Sequence, residues 1–277
     1  QSQGRALLVL ESYMRPSRTS RQHRNSWECW LGVSWENTLR LSVVHAMLYP
    51  VTQSGEEGLI ESVSKLAHDD FFSVLELAWI KDPALRKSIR EIAESAHVSV
   101  TYAAQLALLS QKLDVNSLND AERRKAVAEV KLCIDEASEL GAERVSLLSG
   151  ADPGETQRND ATRRLVDSLN EICAYGEQKD LAITLETFDR DVEKKCLIGP
   201  STEAAALARA IRKNYRDFGL IYDMAHGPLL NEDPRRALAL LKKYVVHVHV
   251  GNCVKVQGHP AYGDKHPRFG IKGGEHD

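Results

Sequence analysis

From residue 41 onward the chain repeats one arrangement seven times: a short apolar run, then an amphipathic stretch of helical period. The apolar runs are 41–47, 72–77, 98–102, 144–148, 181–186, 218–223 and 245–250. Runs this short and this uniformly apolar suit parallel strands buried on both faces. The stretches between them suit the covering helices. Ala126, Val130, Cys133, Ala137 and Leu140 share one helical face, and Gly141 stands where that helix should stop. Ala161, Leu165, Leu169 and Ile172 repeat the pattern in the next unit. Helix starts are marked by Asn119 three residues before Glu122, by Ser201 after Pro200, and by Asp233 before Pro234.

Strand–helix repetition without a change of pattern implies one α/β domain, and 277 residues suit a single (β/α)8 TIM barrel. A doubly wound sheet is the alternative, but no glycine-rich phosphate turn follows the first strand. The sequence stops before an eighth unit. The expectation is therefore a barrel over residues 41–277, truncated after its seventh strand, with a ring left open between the first and seventh strands.

Residues 1–40 read differently. Arg15, Arg18, Arg21 and Arg24 lie among polar residues, and Trp27, Trp30 and Trp35 follow without periodicity. A nucleic-acid arm with stacking tryptophans is one reading. A poorly ordered or extraneous segment is the favoured one. The formal net charge of −3 argues against a broad grip on nucleic acid. No apolar run approaches the ~18 residues of a membrane span, and residues 6–10 are too short for a signal-peptide core. The five cysteines are scattered, odd in number and without a CxxC pair, which favours a reducing, cytoplasmic setting. The partner expected is a small molecule, with neither nucleic acid nor membrane; a homo-oligomer stays open.

Barrels gather function where strands end. Those positions hold His45, Glu76, Tyr102, Ser149, Glu186, Asp223, then His247 and His249. A carboxylate closing a strand as apolar as Leu-Ala-Ile-Thr-Leu-Glu186 is costly unless something pairs with it, and Phe-Gly-Leu-Ile-Tyr-Asp223 ends the same way. The next strand carries His247 and His249 at period 2, hence on one face. Two acids and an imidazole from adjacent strands suit a divalent cation.

The residues Ile-Thr-Leu-Glu186, Asp223-Met-Ala-His226, His247-Val-His249-Val-Gly-Asn252 and the passage from Leu132 to Val145 resemble the xylose isomerase-like barrel superfamily. That superfamily includes ketose 3-epimerases, inosose-type isomerases and dehydratases, and endonuclease IV. The resemblance implies metal ligation by Glu186, Asp223 and His249, with Mn, Mg, Co or Zn as the ion. It implies that His226 faces a substrate oxygen, and that a further glutamate, expected from an eighth strand, partners Glu186 in proton transfer. The tail Asp264-Lys-His266-Pro-Arg268-Phe-Gly270 resembles the pattern that completes the trinuclear zinc site of endonuclease IV, but the regions after the second and third strands lack the histidines that family needs. Asp264, His266 and Arg268 are then expected at the pocket mouth or on sugar hydroxyls, with a second metal at Asp264 and His266 left open, and His45 and His247 as further substrate contacts.

The activity implied is a metal-dependent sugar isomerase or epimerase of carbohydrate metabolism. It would abstract a proton next to a carbonyl in a small sugar, keto-sugar or inositol derivative, with Glu186 as one base. Two rivals stand beside it: a lyase resembling C-glycoside deglycosidases and acting on a 3-keto glycoside, and a non-catalytic sugar- or metal-binding module. DNA repair of the endonuclease IV kind is disfavoured.

Overall fold

A computed structural model describes residues 8–12, 39–53 and 57–276. Seven parallel strands form most of one barrel: β2 (Leu39–Val44), β3 (Val74–Leu77), β4 (Ser99–Ala103), β5 (Arg144–Leu148), β6 (Ala182–Glu186), β7 (Gly219–Asp223) and β8 (Val245–Val250). Beyond β8 the described chain runs through turns and isolated bridges to His276, with no further helix or strand.

The eighth place in the ring belongs to β1 (Leu8–Ser12), which pairs antiparallel with both β2 and β8 and closes the barrel. The open ring expected from the sequence is therefore not what forms, and part of the 1–40 segment belongs to the sheet. The reason is physical. Seven parallel strands leave two edges of unpaired N–H and C=O groups, and a short apolar segment satisfies both at once. The Arg15–Arg24 and Trp27–Trp35 residues lie outside the described part of the chain.

The covering helices are α1 (His45–Leu48), α2 (Leu59–Ala67), α3 (Pro83–Ser95), α4 (Gln105–Gln111) and α5 (Asp120–Glu139). They continue with α6 (Arg158–Glu177), α7 (Ser201–Ile211), α8 (His226–Leu229) and α9 (Pro234–Leu241). Asn119 caps α5 by accepting from the backbone N–H of Ala121 at 2.9 Å, and Asp233 caps α9 by accepting from Arg236 at 2.9 Å. Gly141 has φ +71°, as the stop after α5 requires. Ser201 differs from its expected capping role. It is the first helical residue of α7, and its hydroxyl donates to Glu232, whose carboxylate also accepts the Ser201 N–H. No helix among the described residues is long and apolar enough to cross a membrane. Cys133, Cys173, Cys196 and Cys253 are free and buried; Cys29 lies outside the described residues.

Alternation along each strand sorts two environments. Leu75, Leu77, Val100, Tyr102, Val145, Leu147, Ile183, Leu185, Leu220 and Tyr222 join the apolar layer shared with the helices. The interleaved positions include Ser42, Glu76, Thr101, Ser146, Thr184, Glu186 and Asp223, and all are buried. These point into the lumen, so the apolar runs are two-sided only in part. In β8 the same alternation is sharper: His247 and His249 are buried while the flanking valines are half-buried.

Candidate metal centre

Strand register delivers the site. Glu186 is the last residue of β6 and Asp223 the last of β7, where Asp223 stands directly opposite His249 of β8. A register shift between Leu220 and Ile221 sets that pairing. In space, His249 Nδ1 lies 3.0 Å from Glu186 Oε1 and 3.6 Å from Asp223 Oδ2. Two atoms each bound at ~2.1 Å to one ion lie about 3.0–3.4 Å apart in octahedral or tetrahedral geometry. The three candidate ligand atoms all fall within 4.8 Å of one another. Oxygen and imidazole donors buried at the carboxyl ends of adjacent strands fit a divalent cation.

Each carboxylate has its other oxygen tied back. Asp223 Oδ1 accepts from the Ala225 N–H at 2.7 Å, and Glu186 Oε2 accepts from Gln105 Nε2 at 2.8 Å. Gln105 is oriented in turn by the Ser146 hydroxyl, which donates to its Oε1 at 3.0 Å. Gln105 was missed in the sequence because it follows β4 in an otherwise apolar stretch, two residues past the strand end. The signal was its polarity at a strand-to-helix junction.

A second group shares Asp223. His266 Nε2 lies 3.0 Å from Asp223 Oδ2, and His266 Nδ1 lies 3.0 Å from Asp264 Oδ1. His226 Nε2 is 3.2 Å from Asp264 Oδ1 and 3.9 Å from Asp223 Oδ2, and its Nδ1 donates to the Thr187 carbonyl at 2.7 Å. His266 has φ +45°, a left-handed backbone unusual for a side-chain-bearing residue, and it turns the ring onto Asp223. Gly263, just before Asp264, has φ +90°, and a Cβ there would lie 2.6 Å from Glu193 Oε2. That carboxylate accepts the Asp264 N–H at 3.0 Å, while Lys194 Nζ reaches Asp264 Oδ2 at 3.2 Å.

The electrostatics follow from burial and pairing. Burial opposes charge on every imidazole, yet Asp223 and Asp264 outweigh it and hold His226 up at about 10. The same two acids hold His266 up at about 9, also against burial. His249 is raised well above the ordinary histidine range by Glu186 and Glu76, and Asp223 and Asp264 are held below the carboxylate range by the imidazoles. Four buried acids (Glu76, Glu186, Asp223, Asp264) thus face four buried histidines (His226, His247, His249, His266), a balance that protons or a cation can supply.

Three further expected contacts have the following partners. His45 opens α1, with Nε2 2.8 Å from the Ser62 hydroxyl and its ring stacked on Tyr49; burial lowers it to about 4. His247 faces Glu76, with Nε2 3.4 Å from Oε2. Arg268 is exposed and gives its carbonyl to Asn252 Nδ2 at 3.2 Å.

Comparison with known proteins agrees with the barrel fold. A family model described as xylose isomerase-like TIM barrel matches residues 66–271. Among curated proteins, no sequence matches. Similar solved structures include D-psicose 3-epimerase with D-tagatose from Clostridium cellulolyticum H10, at 16% identity and a TM-score of 0.57. That match covers 69% of this chain and 66% of the epimerase. A D-tagatose 3-epimerase-like protein is 20% identical with a TM-score of 0.61, covering 77% of this chain and 79% of its own. An IOLI protein with a bound zinc atom is 14% identical with a TM-score of 0.56, covering 67% and 65%. Identities this low show the shared fold, while the family model spans most of the chain. The chain belongs to the xylose isomerase-like TIM barrel family.

Proposed function

We propose that this protein is a metal-dependent sugar isomerase or epimerase that moves a proton next to a carbonyl. The observation that carries the reading is the placement of Glu186, Asp223 and His249 on three adjacent strand ends with ligand-like spacing. These three residues would hold the cation. When bound, a divalent ion polarises a carbonyl or hydroxyl oxygen of the substrate and so acidifies the neighbouring C–H. The names of the similar structures support a sugar as that substrate, and the zinc in the IOLI protein supports a divalent ion.

The chain's own groups supply the remainder. Glu186 is the base: Gln105 fixes one of its oxygens and leaves the other facing the site. His226, Asp264 and His266 form the adjoining wall, whose donors and acceptors suit vicinal hydroxyls. His45 and Arg268, also expected as substrate contacts, bond to the Ser62 hydroxyl and, through the Arg268 carbonyl, to Asn252. The partner acid for Glu186 is not identified among the described strand ends.

Asp223, His226 and His266 also have ligand-like spacing, and this favours a second reading in which two cations share Asp223. Metal-stripped protein should be reloaded with Mn, Co, Mg or Zn and offered free ketoses and 3-keto glycosides. Epimer or isomer formation with about one ion per chain is the expected result. Release of an aglycone would point to a lyase, two ions per chain to the second reading, and metal retention without turnover to a binding module.

A further inference from the structure

An imidazole that binds a cation through one nitrogen carries its proton on the other, and whatever faces that proton fixes the ring. His249 turns Nδ1 toward Glu186 and Asp223, so its Nε2 points away from them. That Nε2 is buried and makes no hydrogen bond among the described residues. The acid beside it is Glu76, with Oε2 at 3.5 Å. The same oxygen lies 3.4 Å from His247 Nε2. Glu76 comes from β3, separated from β8 in the ring by β1 and β2, so it reaches His249 across the lumen. It is 3% exposed in a four-residue strand whose leucines face the helices. An acid so placed is costly to bury unless positive groups face it. The rings of His247 and His249 meet edge to face, 4.9 Å apart at 83°.

We infer that Glu76 is a positioning residue: it keeps the His249 proton on Nε2, leaving Nδ1 for the cation, and His247 anchors Glu76 in that role. This rests on the metal reading of Glu186, Asp223 and His249. The 3.5 Å separation is an ion-pair distance that shortens to a hydrogen bond when His249 is drawn into ligation, as such contacts commonly do on loading. Glu76, His247 and His249 are themselves spaced closely enough to suggest a separate ion. That would require His249 to give up both its protons and bridge two cations, whereas the positioning role leaves it one proton, on Nε2.

Two measurements test it on the full chain with zinc as the probe. The first is ¹⁵N-histidine NMR of the zinc-loaded wild type, which should show His249 metal-bound at Nδ1 with a protected proton on Nε2. A proton on Nδ1 would overturn the inference without any variant. The second is zinc affinity by chelator competition. Glu76→Ala should weaken binding about 10–100-fold, and Glu76→Gln, whose amide oxygen still accepts, should recover most of that loss. Unchanged melting of the metal-free variants would show that the fold is intact. Wild-type affinity in Glu76→Ala, with Asp223→Ala losing zinc, would overturn the positioning role and spare the metal reading. So would a second ion lost in His247→Ala. Failure of the wild type to hold zinc would overturn both.

Discussion

At the residue scale, Asp223 stands between two groups of imidazoles, and its replacement should be felt in both. Asp223→Ala leaves Glu186 and His249, and two ligands rarely hold a divalent ion against water. His226 lies outside that set of three, at 3.9 Å from Asp223 Oδ2. His226→Ala should therefore retain the ion and impair substrate use, as equilibrium dialysis and kinetics can check; equal metal loss in both variants would make His226 a ligand. A linkage effect follows from His249. Its acid neighbours keep it charged without a cation, and ligation at Nδ1 requires that proton to leave. Metal binding should thus release protons, and affinity should rise about tenfold per pH unit for each proton displaced, while pH stays below the raised histidine values. Calorimetry in buffers of different ionisation enthalpy measures the release. Glu186 and Asp223 stand out in the sequence because each closes an apolar run, and His249 because it alternates with His247 among valines. Gln105 and Glu76 were not assigned roles, since a hydrogen bond across 81 residues, or an acid reaching over the lumen, leaves no periodic trace.

At the scale of elements, β5 and β8 lie where the apolar runs place them, and the other strands shift by one to three residues at one or both ends. At β2 the end moved because His45 turns the chain into α1, so the strand stops at Val44. Caps with a side chain acting on its own helix were readable, whereas the Glu232 carboxylate at the start of α7 comes from 31 residues away. Asp233 makes a usable test. Asp233→Ala removes an exposed cap from α9, the helix that precedes β8, and should cost about 1 kcal/mol in chemical denaturation. Metal affinity should be unchanged, because the cap lies at the far end of that helix. A loss of more than about 2 kcal/mol would mean that Asp233 does more than cap.

At the scale of the whole molecule, the seven-unit α/β reading describes the parallel strands, and closure is what it did not contain. Pairing of a distant antiparallel segment depends on both edges of the finished sheet, so no local pattern announces it. The register Val9↔His249 in β1·β8 ties that closure to the strand bearing His249, the proposed ligand. Val9→Pro removes a backbone donor from β1 and should weaken the ring. A lower melting temperature and concentration-dependent association by light scattering are expected, with exposed edges on β2 and β8 as the cause. A monodisperse variant of unchanged melting temperature would show that β1 contributes little to closure.

In the proposed reaction the cation serves carbon–hydrogen chemistry on a sugar, and solvent exchange reads both. Metal-loaded protein incubated in D₂O with a panel of ketoses should place deuterium on the carbon beside the carbonyl, seen by ¹H NMR. Exchange should vanish on chelation, return with the ion, and be absent in Asp223→Ala. Exchange that persists without metal, or an absence of exchange across ketoses and keto-glycosides alike in protein shown to hold its ion, would contradict the account.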